Sequence, residues 1–112
     1  MDIGFINKSG QFRLRACAVI IEDGCVLMVK NDRDDYYYSV GGGVKQNESS
    51  TDAVVREVFE ETGLHYEVDR LAFIHENFFT SDNGENGTDL PFHEVAFYYL
   101  MKPKGLNSEI TV

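Results

Sequence analysis

No stretch of this chain is basic, no apolar run approaches the length of a membrane span, and no segment repeats. Ten Lys and Arg stand against 19 Asp and Glu over 112 residues, a net charge of −9. The acidity is spread as −1 over residues 1–41, −3 over 42–64 and −5 over 65–112. Coating a polyanion requires clustered Lys and Arg that displace counterions, so an extended nucleic-acid partner is excluded. An anionic small substrate is compatible with this balance, provided a cation stands between it and the protein. The N-terminal MDIGFINKSGQF lacks the apolar centre of a signal peptide, and nothing marks a membrane partner. The cytoplasm is the expected compartment. Only two cysteines occur, Cys17 and Cys25, both in apolar segments. They are expected to be buried reduced thiols, and without a C-x-x-C pair a thiolate zinc site is not expected.

With 43% apolar residues the chain is too hydrophobic for disorder and long enough for one domain, 1–112. Residues 12–21, FRLRACAVII, alternate and then become continuously apolar, which predicts a strand buried on both faces. Asp23-Gly24 reads as a hairpin turn leading into a second strand, 25–30. After the polar 31–35 comes YYYSV and then Gly41-Gly42-Gly43, where neither helix nor strand is expected to persist. Residues 49–62 read as a helix with Ser49, Ser50 or Thr51 as N-cap, Asp52 in the first turn and Gly63 as the stop. Two more strands are predicted at 65–79 and 93–101, joined by a long polar loop.

On the helical wheel Val54, Val55, Val58, Phe59 and Thr62 share one side, and Ala53, Arg56, Glu57, Glu60 and Glu61 the other. Glu57, Glu60 and Glu61 lie at i, i+3 and i+4. Like charges so spaced destabilise an isolated helix, and they crowd the end where the helix dipole prefers cations. A solvated charged face and a site for a hard divalent cation both fit that helix taken alone.

The residues before the helix extend the pattern. Gly42, Glu48, Arg56-Glu57-Val58, Glu60-Glu61 and Gly63-Leu64 occupy all nine specified positions of a 23-residue box. On those residues the chain resembles the Nudix hydrolase superfamily (MutT-like), with the box at 42–64. The resemblance implies an α/β fold: an α/β/α sandwich around a mixed sheet, with the box forming a loop–helix–loop. It implies hydrolysis of a pyrophosphate bond in a nucleoside diphosphate linked to another moiety, with Mg²⁺ or Mn²⁺ as cofactor. Carried onto this chain, Glu57, Glu60 and Glu61 become metal ligands together with the Gly41 carbonyl. Arg56 becomes the residue that orients Glu57, aided by Glu48. The general base stays open between Glu57, Glu61 and the downstream acids Glu85, Asp89, Glu94 and Glu109.

Three departures accompany the resemblance. Val40 stands where Pro often precedes the glycine pair, and Asn47 where Gly commonly precedes the box Glu. The third is larger, because such domains usually end in a second long helix that covers the other sheet face, and LNSEITV supplies none. Either the chain is a fragment or that face is covered otherwise, for example by the partner subunit of a homodimer. For substrate binding the candidates are Gly42, Gly43, Lys30, Arg33 and Tyr36. Tyr37 and Tyr38 are further stacking candidates, with alternation placing Tyr37 partly in the core. Phe78, Phe79, Phe92 and Phe97 read as core or strand aromatics. Asp82–Gly87 looks superficially like the start of a calcium loop, but the twelfth position is His93 and no helix follows. Scattered histidines give no metal-binding spacing. An alternative function is a Nudix-like module that binds a nucleotide sugar without cleaving it. An RNA-decapping role is disfavoured by the lack of basic surface.

Overall fold

The computed structural model describes residues 1–29, 37–81 and 90–105. Eight strands and one helix follow in the order β1 (Gly4–Asn7), β2 (Gly10–Val19), β3 (Ile21–Glu22), β4 (Cys25–Val26), β5 (Met28–Val29), β6 (Tyr38–Gly43), α1 (Ser50–Thr62), β7 (Val68–Ser81) and β8 (Leu90–Met101). Six of the strands form one sheet in the order β5-β6-β2-β8-β7, with β1 also paired to β2. The β2–β8 pair is parallel and its neighbours are antiparallel, so the sheet is mixed. The helix lies against one face. Among the described residues it is the single helical layer, and no helix is long and apolar enough to cross a membrane.

The centre of the sheet is built from small side chains. Ala16, Cys17 and Ala18 of β2 are all buried, which covers both faces in succession as the apolar run requires. On the helix side Ala16, Ala18 and Val40 pack with Ala53, Val54 and Val58 of α1 and with Tyr99 and Met101 of β8. The Ser50 hydroxyl meets the Tyr99 hydroxyl at 2.5 Å, tying the first turn of the helix to the sheet. Ser49 caps the helix, its Oγ accepting from the Asp52 N–H at 3.0 Å. Gly63 ends it at φ 76°, its N–H donating to the Phe59 carbonyl at 2.8 Å. Asp23 (φ 51°) and Gly24 (φ 76°) form the expected turn between β3 and β4.

Several expectations are corrected. Strand β6 runs through all three glycines instead of stopping before them, held in antiparallel register by Cys17↔Gly41, Ala16↔Gly42 and Arg15↔Gly43. Ladder hydrogen bonds carry the strand, and the missing side chains serve close approach rather than a turn. Ala53, placed with the charges on the wheel, is fully buried, while Phe59 is exposed and stacks on His65 at 4.2 Å between ring centroids. Cys25 is exposed because β3–β4 forms a separate hairpin outside the main sheet, whereas Cys17 is buried as expected. Tyr37 lies just before β6 and is exposed, and Tyr38 packs against the core in its place. Phe78 and Phe79 are strand aromatics, one of the two readings expected of them, and on the edge strand β7 both are exposed. The departure at position 47 has a simple basis, since Asn47 adopts φ 68°, a left-handed conformation that Asn tolerates better than most residues.

Candidate active site

The box places its acids through local rules. The first turn of α1 starts at a capped Ser49, and three turns of helix bring Glu57 and Glu61 over the glycine end of β6, with Glu60 turned to Arg56. Gly42 makes this approach possible: a Cβ there would lie 2.5 Å from the Glu57 carboxyl carbon. Glu61 reaches the same strand one residue earlier, its Oε2 accepting from the Gly41 N–H at 3.0 Å.

Arg56 organises the neighbouring carboxylates. Its Nε and Nη2 grip Glu48 in a two-pronged contact at 2.8 and 2.9 Å. Nη2 also donates to the Gly43 carbonyl at 3.0 Å, and Nη1 donates to Glu57 at 2.9 Å and to Glu60 at 3.3 Å. The planar guanidinium suits this fork of acceptors, which an ammonium would not satisfy with the same directionality. Glu48 in turn accepts from the Lys45 N–H at 3.0 Å and so closes the loop that carries it. The hydrogen bonds from Arg56 hold the Glu48 carboxyl down at about 2. Reciprocally, Glu48 and then Glu57 push the Arg56 guanidinium well above its usual range.

Glu61 behaves in the opposite way. Burial raises its proton affinity and Glu57 and Glu60 raise it further, against the lowering effects of the Gly41 N–H and of Arg15. A carboxylate that is half buried, beside two like charges and without a cationic hydrogen-bond partner is electrostatically frustrated. A divalent cation would relieve that frustration, and the oxygen donors offered here suit a hard ion. Among the described residues no three His, Cys, Asp or Glu converge at metal-holding distance. Glu60 is about half exposed and drawn to Arg56. The residues fit a hard metal by the chemistry of their oxygen donors and by their shared helix face.

The structure thus brings together Gly41, Gly42, Gly43, Glu48, Arg56, Glu57, Glu60 and Glu61. Lys30, Arg33, Tyr36, Glu85, Asp89, Glu109 and the Asp82–Gly87 segment lie outside the described residues. Glu94 is buried in β8, ion-paired to Arg13 at 2.6 Å and to Arg15 at 3.8 Å. Two residues not singled out from sequence flank the glycine strand. Asp2 of the N-terminal segment lies against Gly43, where an added Cβ would be 2.5 Å from its Oδ2. Arg15 stands opposite Gly43 on β2. Neither carries a local signal, because each reaches the site only through pairing between strands distant in sequence.

Comparison with known proteins gives a consistent result. The NUDIX domain matches residues 11–111. A MutT-like protein of Streptomyces ambofaciens is 36% identical over 62 residues, which are 55% of this chain and 40% of that protein. The chain therefore spans well under half of that curated relative's length. Among solved structures, the Escherichia coli dihydroneopterin triphosphate pyrophosphohydrolase superposes with a TM-score of 0.68 at 19% identity, covering 89% of this chain and 75% of that one. A MutT NUDIX hydrolase from Burkholderia pseudomallei gives 0.53 at 29% identity, covering 81% and 67%.

Proposed function

Since the chain belongs to the NUDIX domain family, we propose that residues 1–112 form a single Nudix domain that hydrolyses a pyrophosphate bond in a nucleoside diphosphate linked to another moiety. The observation that carries the reading is the complete box gathered at one place. Glu57 and Glu61 rest on Gly42 and Gly41, and Arg56 holds Glu48 and Glu57 in one fork.

In this reading Glu57, Glu60, Glu61 and the Gly41 carbonyl hold Mg²⁺ or Mn²⁺. When bound, such ions neutralise phosphate charge and make a water more acidic. Arg56 fixes the Glu57 carboxylate through the 2.9 Å hydrogen bond, and Glu48 fixes Arg56. The missing side chains of Gly42 and Gly43 admit the Glu57 and Asp2 carboxylates against the strand. A water oxygen attacks one phosphorus in line and the P–O bond to the bridging oxygen breaks. The electron pair leaves with the bridging oxygen, and a carboxylate accepts the water's proton. Glu57 and Glu61 are the candidates for that base.

The test is a panel of nucleoside diphosphate derivatives, together with a pterin triphosphate, incubated with Mg²⁺. A nucleoside monophosphate, phosphate or pyrophosphate should appear, and Glu60→Gln and Glu61→Gln should lose most turnover while staying folded. Saturable binding without product across the panel would favour the non-cleaving sensor instead.

A further inference from the structure

On the sheet face opposite α1, strand β2 presents Arg13, Arg15 and Cys17 by alternation. Glu94 of β8 is the carboxylate between the two arginines, and the parallel register sets it directly beside Arg13. The two arginines do not share it equally. Arg13 donates through Nε at 3.2 Å and Nη2 at 2.6 Å, which satisfies Glu94 with one fork. Arg15 approaches only with Nε at 3.8 Å, beyond hydrogen-bond reach. Among the described residues the Arg15 guanidinium donates no hydrogen bond, although its side chain is only 24% exposed.

Its sheet neighbours are small, and the Asp2 carboxylate lies over one of them, Gly43. In the sheet Arg15 is flanked by Gly43 on β6 and by Ala96 on β8, two positions with little or no side chain. The neighbours along β2 and β8 on this face are Cys17 and Tyr98, and both feel the positive charge of Arg15, as does Glu61. A largely buried cation with idle donors thus stands between the glycine strand of the box and an already neutralised Glu94. Dedicating it to Glu94 alone would leave most of its five N–H groups without acceptors.

We infer that Arg15 is a substrate-binding residue whose guanidinium takes non-bridging oxygens of a phosphate group in the diphosphate substrate. Planar N–H pairs match two phosphate oxygens, and in a protein of net charge −9 a fixed cation whose field reaches Glu61 through the sheet offsets repulsion of the substrate. The inference rests on the proposed pyrophosphohydrolase reading, because that reading brings a diphosphate to the acidic end of β6.

Two measurements separate the two claims. Titration calorimetry with inorganic pyrophosphate and Mg²⁺ needs no turnover. Wild-type protein should bind, Arg15→Ala should weaken binding by about tenfold or more, as loss of a charge-assisted contact does, and Arg15→Lys should fall between. On any substrate turned over in the panel, Arg15→Ala should raise KM more than it lowers kcat. Arg15→Gln, which keeps a polar stem between Gly43 and Ala96, guards against a folding defect, and its thermal midpoint should stay within a few degrees of wild type. Equal pyrophosphate affinity in wild type and a folded Arg15→Gln would overturn the role of Arg15, as would a wild-type protein that binds no pyrophosphate. Pyrophosphate binding that depends on Arg15, with no turnover anywhere in the panel, would uphold Arg15 and overturn the hydrolase reading.

Discussion

Gly42 and Glu57, 15 residues apart, are so close that no side chain fits between them: a Cβ on residue 42 would lie 2.5 Å from the Glu57 carboxyl carbon. The glycine therefore acts on the carboxylate's position rather than on a turn. Gly42→Ala should leave the strand intact, because β6 is paired to β2 through its backbone. It should displace Glu57 and lower turnover by on the order of 100-fold. Steady-state kinetics beside a thermal melt checks this, and retained activity in a folded variant would contradict it.

The Glu48–Arg56 clamp should be visible in the pH dependence of stability. Glu48 titrates near 2 in the fold against 4.5 for an ordinary Glu. Between those values the unfolded chain holds more of the proton, so stability rises with pH. The contribution of Glu48 is complete above about pH 4.5 and is lost as pH falls toward 2. Thermal midpoints measured across this window should show a shallower slope in Glu48→Gln than in wild type.

A second buried carboxylate governs the alkaline side. Glu22 accepts from the Tyr66 hydroxyl at 2.8 Å and from the N–H groups of Lys104 and Gly105 at 2.7 and 3.0 Å. Burial, with Glu22 adding to it, pushes the Tyr66 phenol up to about 12. Above pH 10 the unfolded chain loses this proton first, so stability falls as pH rises from about 10 to 12. Tyr66→Phe should remove that slope, at a cost of about 1–3 kcal/mol near neutral pH from depriving buried Glu22 of a donor. Denaturant unfolding at pH 8 and pH 11 reads both effects.

The thiols should separate cleanly. Cys25 is exposed and Cys17 is fully buried, with burial raising its proton affinity. An aromatic disulfide reagent at neutral pH should titrate one thiol in the native protein and two after denaturation. Two fast-reacting native thiols would contradict the packing of β2.

The parts readable from sequence are those whose signals are local. Ser49 and Gly63 bracket the helix through bonds within four residues, and the spacing of Glu57, Glu60 and Glu61 follows from helical period alone. The role of Gly41–Gly43 has no local signal because its reason lies elsewhere, in Cys17 on β2, four strands earlier in sequence, and in Glu57 on the helix. The four residues of β1 carry no periodicity long enough to detect, and their place is fixed by pairing to β2. Arg15 was readable as a face of a strand but not as a neighbour of Gly43, since only cross-strand register brings the two together. The Arg13–Glu94 pair spans 81 residues, and nothing local announces a parallel partner at that distance.

The most direct test of the account is Mg²⁺-dependent turnover of a nucleoside diphosphate derivative by wild type and Glu61→Gln. Glutamine keeps an oxygen to accept from the Gly41 N–H, so the fold and thermal midpoint should hold while the anionic donor is lost. The account predicts wild-type hydrolysis that saturates with Mg²⁺ and stops on chelation, and a loss of at least about 100-fold in the variant. Turnover indifferent both to chelation and to Glu61→Gln would contradict it.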